Sequence, residues 1–241
     1  TTAVKKGAKY ILNGSKIFVT NGPIADVILV FAATDKAKGA SGISAFLVEK
    51  GAPGLDVSRK IQKMGVRTSP MAEVFFTDCE VPEENLLGKE GAGSWLFTRS
   101  MTWERGCILA SAVGTMQRLL ETCIRYANER KQGGQSIGKF QRVATKIVDM
   151  KLRVESARHM LYHGAWAAGH RKAVYLEAAM AKLHISDCWV KCCEDAIQIH
   201  GGYGYMVEYE VERELRDAIG SKLYSGTSEI QRNIIASLLG L

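Results

Sequence analysis

Four stretches of this 241-residue chain hold residues able to do chemistry. Thr102-Trp103-Glu104-Arg105-Gly106 sets a carboxylate beside a guanidinium, and Tyr224-Ser225-Gly226-Thr227-Ser228-Glu229 sets hydroxyls around a glycine. Glu129-Arg130-Lys131-Gln132-Gly133-Gly134-Gln135 is a polar run ending on paired glycines, and Gln198-Ile199-His200-Gly201-Gly202-Tyr203-Gly204 is glycine-rich. Each also has a plain reading. A Glu-Arg pair on a helix is usually a solvated ion pair. A serine hydroxyl is no useful base at neutral pH without a partner to take its proton. The charged run reads as a solvated helix end. The glycine-rich run lacks GxGxxG spacing and follows a helix, so a dinucleotide fold fails, and glycines past a helix end are ordinary caps. Six cysteines show no paired C-x-x-C spacing; they read as buried thiols, and no metal site is expected.

The elements that must position these residues follow from pattern. With 46% apolar and 24% charged residues the chain is globular. Its longest apolar run, Val27 to Ala33, is far short of the roughly 20 residues of a membrane helix. The net charge of +7 suits a polyanionic partner, but no basic cluster alternates with aromatics, so nucleic acid is not expected. The first 80 or so residues read as strands, as follows. Asn13-Gly14 marks a hairpin turn between Tyr10–Leu12 and Ile17–Thr20, and Asp26–Thr34 reads as a strand buried on both faces. Around Pro82, Gly88, Gly91 and Gly93 the period changes. Ser94–Asn128 has the length of one helix, interrupted by Gly106 and Gly114. Positions 147, 150, 154, 157, 161, 165 and 168 then mark one apolar helix face, and Leu176 to Ile197 another. The expected architecture is α+β: a β-barrel-like domain over 1–85, then an antiparallel four-helix bundle over 86–241.

That order, with the terminal Arg216-Asp217-Ala218 and Tyr224-Ser225-Gly226-Thr227-Ser228-Glu229-Ile230-Gln231-Arg232, resembles the middle and C-terminal domains of the acyl-CoA dehydrogenases. The resemblance implies FAD and a chain lacking that family's N-terminal helical domain. Phe18-Val19-Thr20-Asn21-Gly22 is similar to the family's flavin segment, which makes Phe18 a ring-packing residue and Thr20 a hydrogen-bond partner near flavin N5; Phe stands where many members have Trp. Arg130 is implied to hold the FAD pyrophosphate of a neighbouring subunit, since its planar fork gives two aligned donors, with Gln141 a further contact. The family usually has an aromatic residue at the position of Gly133. Gln198, Gly201 and Gly202 match a Gln-x-x-Gly-Gly-x-Gly run that lies close to FAD, and His200 reads as filler. Thr227 and Glu229 fall at further FAD positions; a second anion there suits the ribose better than the pyrophosphate.

Most members place the catalytic glutamate between the Tyr and Gly of the terminal motif, where this chain has Ser225. A minority branch, including isovaleryl- and long-chain acyl-CoA dehydrogenases, carries it instead in a Glu-Arg pair on the first bundle helix. Glu104 present and Ser225 in the vacated place are the two halves of that exchange. The α-C–H of a thioester is a very weak acid, so the base must be a carboxylate stripped of water. The resemblance implies that Glu104 takes the proton as hydride leaves the β-carbon. A ribityl hydroxyl and the Ser225 backbone N–H would hold the thioester carbonyl, with Arg105, Tyr224 and Gly226 near the substrate. It further implies an acyl-CoA or carrier-protein thioester substrate, an electron-transfer flavoprotein or similar acceptor, and a homotetramer built as a dimer of dimers. The expected compartment is bacterial cytoplasm or mitochondrial matrix. Two alternatives stand beside it: a dehydrogenase of a carrier-bound acyl or prolyl thioester, and a catalytically silent flavin-binding or assembly protein.

Overall fold

Strand pattern becomes sheet over the first third of the chain. In the computed structural model, which describes residues 1–171 and 173–241, six strands form one mixed sheet: β1 (Thr2–Lys6), β2 (Lys9–Thr20), β3 (Val27–Ala33), β4 (Ile43–Glu49), β5 (Leu55–Val57) and β6 (Met71–Pro82). Their order is β4-β3-β1-β2-β6-β5, with β1 and β3 parallel and the other neighbours antiparallel. Tyr10, Leu12, Val30, Phe46, Val74 and Phe76 bury one apolar face.

Two strand expectations are corrected. Asn13-Gly14 is not a turn: β2 runs through it, and the β1–β2 turn lies at Gly7-Ala8, with Gly7 at φ +63°. Asn13 instead clamps a bulge, its side chain bonding both the Asp78 N–H (2.8 Å) and the Asp78 carboxylate (3.0 Å). Gly14 is needed there because a Cβ would come 2.8 Å from the Thr1 Cα. Nor is β3 buried on both faces, since Val27 and Leu29 are exposed while Val30 and Ala32 are buried. A second irregularity between Lys16 and Val19 goes with Phe18 in the left-handed region at φ +58°, a residue 63% exposed.

The chain divides into two compact units, Thr1–Ser100 and Met101–Leu241, where the sequence pattern put the join at 85/86. Residues past 85 stay with the sheet for a packing reason. The Leu87 N–H bonds the Ala45 carbonyl, the Gly91 N–H bonds the buried Ser44 hydroxyl (2.8 Å), and Phe97 meets Phe31 edge-on.

The second unit is helical. The single helix expected over 94–128 is two, α1 (Gly93–Cys107) and α2 (Ala110–Glu129). They part at Leu109, which leaves helical geometry (φ −92°, ψ 12°) and buries its side chain in the core; Gly114 lies undisturbed inside α2. A two-residue hairpin follows, β7 (Lys131–Gln132) and β8 (Gln135–Ser136), then α3 (Gln141–His170), α4 (Tyr175–His200), α5 (Val211–Ser221) and α6 (Ser228–Leu238). The bundle thus holds more than four helices, with α2, α3, α5 and α6 all packed on α4. Met116, Leu119, Cys123, Met150, Val154, Ile185, Cys192 and Cys193 form its core. Burial pushes the Cys123 and Cys192 thiols up to about 12, the behaviour of small packed apolar groups.

Candidate active site

Glu104 lies in the last turn of α1 and Ser225 in the loop joining α5 to α6. The fold brings them together, and the Ser225 hydroxyl donates to the Glu104 carboxylate. The loop is shaped by two successive left-handed residues, Ser225 at φ +58° and Gly226 at φ +90°. For a serine that conformation costs roughly 1 kcal/mol, so something must hold it. Four hydrogen bonds do. Arg105 Nε donates to the Ser225 carbonyl at 3.0 Å, and Gln231 Nε2 to both the Ser225 (3.2 Å) and Gly226 (2.9 Å) carbonyls. Lys182 Nζ reaches the Gly226 carbonyl at 2.8 Å. Glycine suits 226 because φ +90° strains any other residue, and a Cβ there would also press on Gln231 Nε2 at 2.8 Å. The N–H groups of Ser225 and Gly226 have no acceptor among the described residues. A trans peptide points its N–H away from its C=O, so clamping the Ser225 carbonyl inward turns the Gly226 N–H, which shares that peptide, outward, while the Ser225 N–H belongs to the peptide before it.

Lys182 and Gln231 are both fully buried, and sequence reasoning passed over them. The signal for Lys182 was present: it stands on the α4 stripe that runs through Ala178, Ala181, Ile185 and Trp189, a core position for an apolar side chain. Burial, and then the neighbouring Arg105 charge, lower its ammonium to about 8, against the pull of Asp187 and Glu229. Burial also lowers Arg105, which the Glu104 charge opposes. Tyr224 is half-buried against the bundle core and pushed up to about 12 by burial and by the Asp217 carboxylate. Glu104 itself is exposed. The stripped-of-water setting expected for a base is therefore not made by this chain's side chains alone.

A second group forms around the C-terminus of α4. Arg130 caps α2 and lies 5.5 Å from the Tyr203 ring centroid, and no carboxylate pairs with it among the described residues. It borders an open cleft of about 570 Å³ lined also by Tyr126, Ile137, His200, Gly201 and Gly202. Gly133 and Gly134, at φ +57° and +81°, form the β7–β8 turn, so the position where the family carries an aromatic residue serves here as a tight hairpin. His200 is buried, stacked 4.2 Å from Tyr126, and bonded through Nδ1 to the Ala196 carbonyl; burial lowers its proton affinity. Gln198 and Gln141 are exposed at the end of α4 and the start of α3. Thr227 caps α6 through a 3.3 Å bond from the Ile230 N–H, and Glu229 is exposed on the first turn. In the sheet unit, Phe18 and Thr20 are both exposed on β2.

Comparison with known proteins bears on these groups. The family description "Acyl-CoA dehydrogenase, middle domain" matches residues 1–79, and "Acyl-CoA dehydrogenase, C-terminal domain" matches residues 91–240. An acyl-CoA dehydrogenase of Bacillus subtilis (strain 168) is 48% identical over 239 residues, covering 99% of this chain and 63% of the relative. Among solved structures, the prolyl acyl carrier protein oxidase AnaB is 57% identical with a TM-score of 0.98, covering 100% of this chain and 64% of that one. The FAD complex of PigA is 46% identical with a TM-score of 0.97, covering 100% and 63%. The chain thus spans a little under two thirds of the length of these relatives. On matches running through both its sheet and its helices, the chain belongs to the acyl-CoA dehydrogenase family.

Proposed function

We propose that the protein of which this chain is part oxidises an acyl thioester with FAD, and that Glu104 is its base. The observation that carries this reading is the hydrogen bond from Ser225 to Glu104. It puts a carboxylate at the loop where most of the family carries one, although the two positions are 121 residues apart in sequence. Glu104 accepts the α-proton of the substrate. The free N–H of Ser225 holds the thioester carbonyl as negative charge develops on it, the task of preorganised donors. Arg105 keeps its guanidinium on the Ser225 carbonyl at 3.0 Å and so steadies the loop without occupying the base. Substrate and cofactor lying over Glu104 would supply the dry setting that the exposed carboxylate lacks.

Bound FAD supplies the acceptor for the β-hydrogen. The residues fit the group: Arg130 is a permanent cation without a carboxylate partner among the described residues, beside the glycine backbone of an open cleft. Open space surrounds a Cβ at Gly201 or Gly202, which leaves that backbone approachable. In this reading Gln141, Gln198, Thr227 and Glu229 are the further cofactor contacts of the helical unit, and Phe18 and Thr20 are those of the sheet unit. As the family resemblance implies, cofactor contacts in this reading come from two subunits of a homo-oligomer, a homotetramer built as a dimer of dimers, and electrons pass to a flavoprotein acceptor.

A second reading of the substrate rests on the 57% identity to the prolyl acyl carrier protein oxidase: the thioester is a prolyl group on a carrier protein. One experiment serves both. The full-length enzyme is mixed anaerobically with a panel of acyl-CoA and prolyl-carrier-protein thioesters, as wild type and as Glu104→Gln. Bleaching by one class names the substrate. The variant should hold FAD yet reduce it about 100-fold or more slowly, the loss of a general base; unchanged reduction removes Glu104 from the mechanism.

A further inference from the structure

Among the described residues Lys182 is the most deeply buried charge in the helical unit, at 0% exposure. A buried ammonium ordinarily finds a carboxylate, because a lone charge away from water is costly. Among the described residues Lys182 has none within ion-pair distance, and its hydrogen-bond acceptor is the Gly226 carbonyl. An apolar side chain on the same α4 stripe would serve the packing better, so stability does not account for it.

We propose that Lys182 is a positioning residue for the thioester carbonyl: by holding the Gly226 carbonyl it keeps Ser225 and Gly226 left-handed, with their N–H groups free for the substrate. This rests on the reading above that the Ser225 N–H is a donor to that carbonyl. The two residues beside it divide the work. Arg105 and Gln231 fix the Ser225 carbonyl, whereas Lys182 and Gln231 fix the Gly226 carbonyl. Removing Lys182 leaves the second peptide on the one bond from Gln231 Nε2. With that single bond the 226–227 peptide turns more easily, which relaxes the left-handed pair and displaces the Ser225 N–H two peptide planes earlier. A misplacement of about 1 Å at a reacting group is enough to cost on the order of 100-fold in rate.

The test is Lys182→Met in the full-length enzyme, with Lys182→Gln as the fallback if the first does not fold. The expected result has four parts: unchanged FAD content, a melting temperature equal to or above wild type, kcat of flavin reduction lower by about 10- to 100-fold, and KM within about twofold. Hydrogen–deuterium exchange of the cofactor-loaded protein should show faster uptake confined to the peptide covering residues 222–231. Loss of FAD and of thermal stability in step with kcat would reduce Lys182 to a structural role and overturn the proposal, as would unchanged kcat. If no thioester reduces even the wild-type flavin, the enzymatic reading fails separately. Exchange then decides alone, and unchanged uptake over 222–231 sinks the positioning role.

Discussion

Gly204 and Gly202 stand two residues apart in one loop, and the structure asks opposite things of them. A Cβ on Gly204 would lie 2.5 Å from the Ile197 carbonyl oxygen, 2.9 Å from the Ile197 Cα and 3.1 Å from the His200 Cβ. The first two are backbone atoms of α4 and cannot swing aside. A Cβ on Gly202 meets nothing within 4 Å. Gly204→Ala therefore overpacks the end of α4, at a cost of about 1–3 kcal/mol. For a chain of this size that lowers the melting temperature by about 2–12 °C. Gly202→Ala should melt with wild type when stripped of cofactor, because nothing in the chain opposes the methyl group. Its effect should be on FAD alone, with affinity weakened by about 10-fold or more as the methyl group holds the cofactor off the backbone, roughly one lost charge-assisted hydrogen bond. Thermal melts of the stripped proteins and FAD titration by flavin fluorescence separate the two. Should Gly202→Ala lower the melting temperature, the packing argument is wrong; should it bind FAD as wild type does, the Gly201–Gly202 backbone is not a cofactor contact.

Two further outcomes follow from charges in the bundle. Glu214 is 7% exposed and held by Arg118 at 2.5 Å, with Arg213 more distant at 3.6 Å. Arg118→Met leaves that carboxylate buried and half-satisfied, and should cost about 1–3 kcal/mol, read from urea denaturation midpoints. The Lys182 ammonium is lowered from 10.5 to about 8 by the fold. Between those values the unfolded chain binds the extra proton, so this group's contribution to stability rises with pH through that window and is least below it. The difference in stability between wild type and Lys182→Met, followed by denaturant titration from pH 7 to 10, should grow in favour of wild type. A flat difference would mean that Lys182 is not desolvated as its burial implies.

What the sequence disclosed and what it withheld divide along physical lines. The helix faces of α3 and α4 were legible because buried side chains recur every three to four residues over long spans. Asn13-Gly14 misled because the dipeptide reports only a left-handed preference; whether that serves a hairpin or a bulge is decided by a partner strand and by Asp78, far along the chain. The division of α1 from α2 was missed because it falls at Leu109, a buried leucine that a helical pattern would keep inside one helix. Glu104 and Ser225 could be paired in advance only because the motifs named them together. Lys182 carries no motif and Gln231 stands in the terminal motif without an assigned role, because both act on two backbone carbonyls that no side-chain pattern reports.

The meeting of the Ser225 hydroxyl with the Glu104 carboxylate says something about how such a site could change hands. Two backbone positions, one at a helix end and one in a clamped turn, open on the same small volume. A carboxylate entering from either side arrives at nearly the same point while the peptide N–H of the turn stays where it is. In the reading proposed above the acid–base group is a removable fitting, and the lasting part of the apparatus is the turn, which needs at 225 only a side chain that tolerates a left-handed backbone.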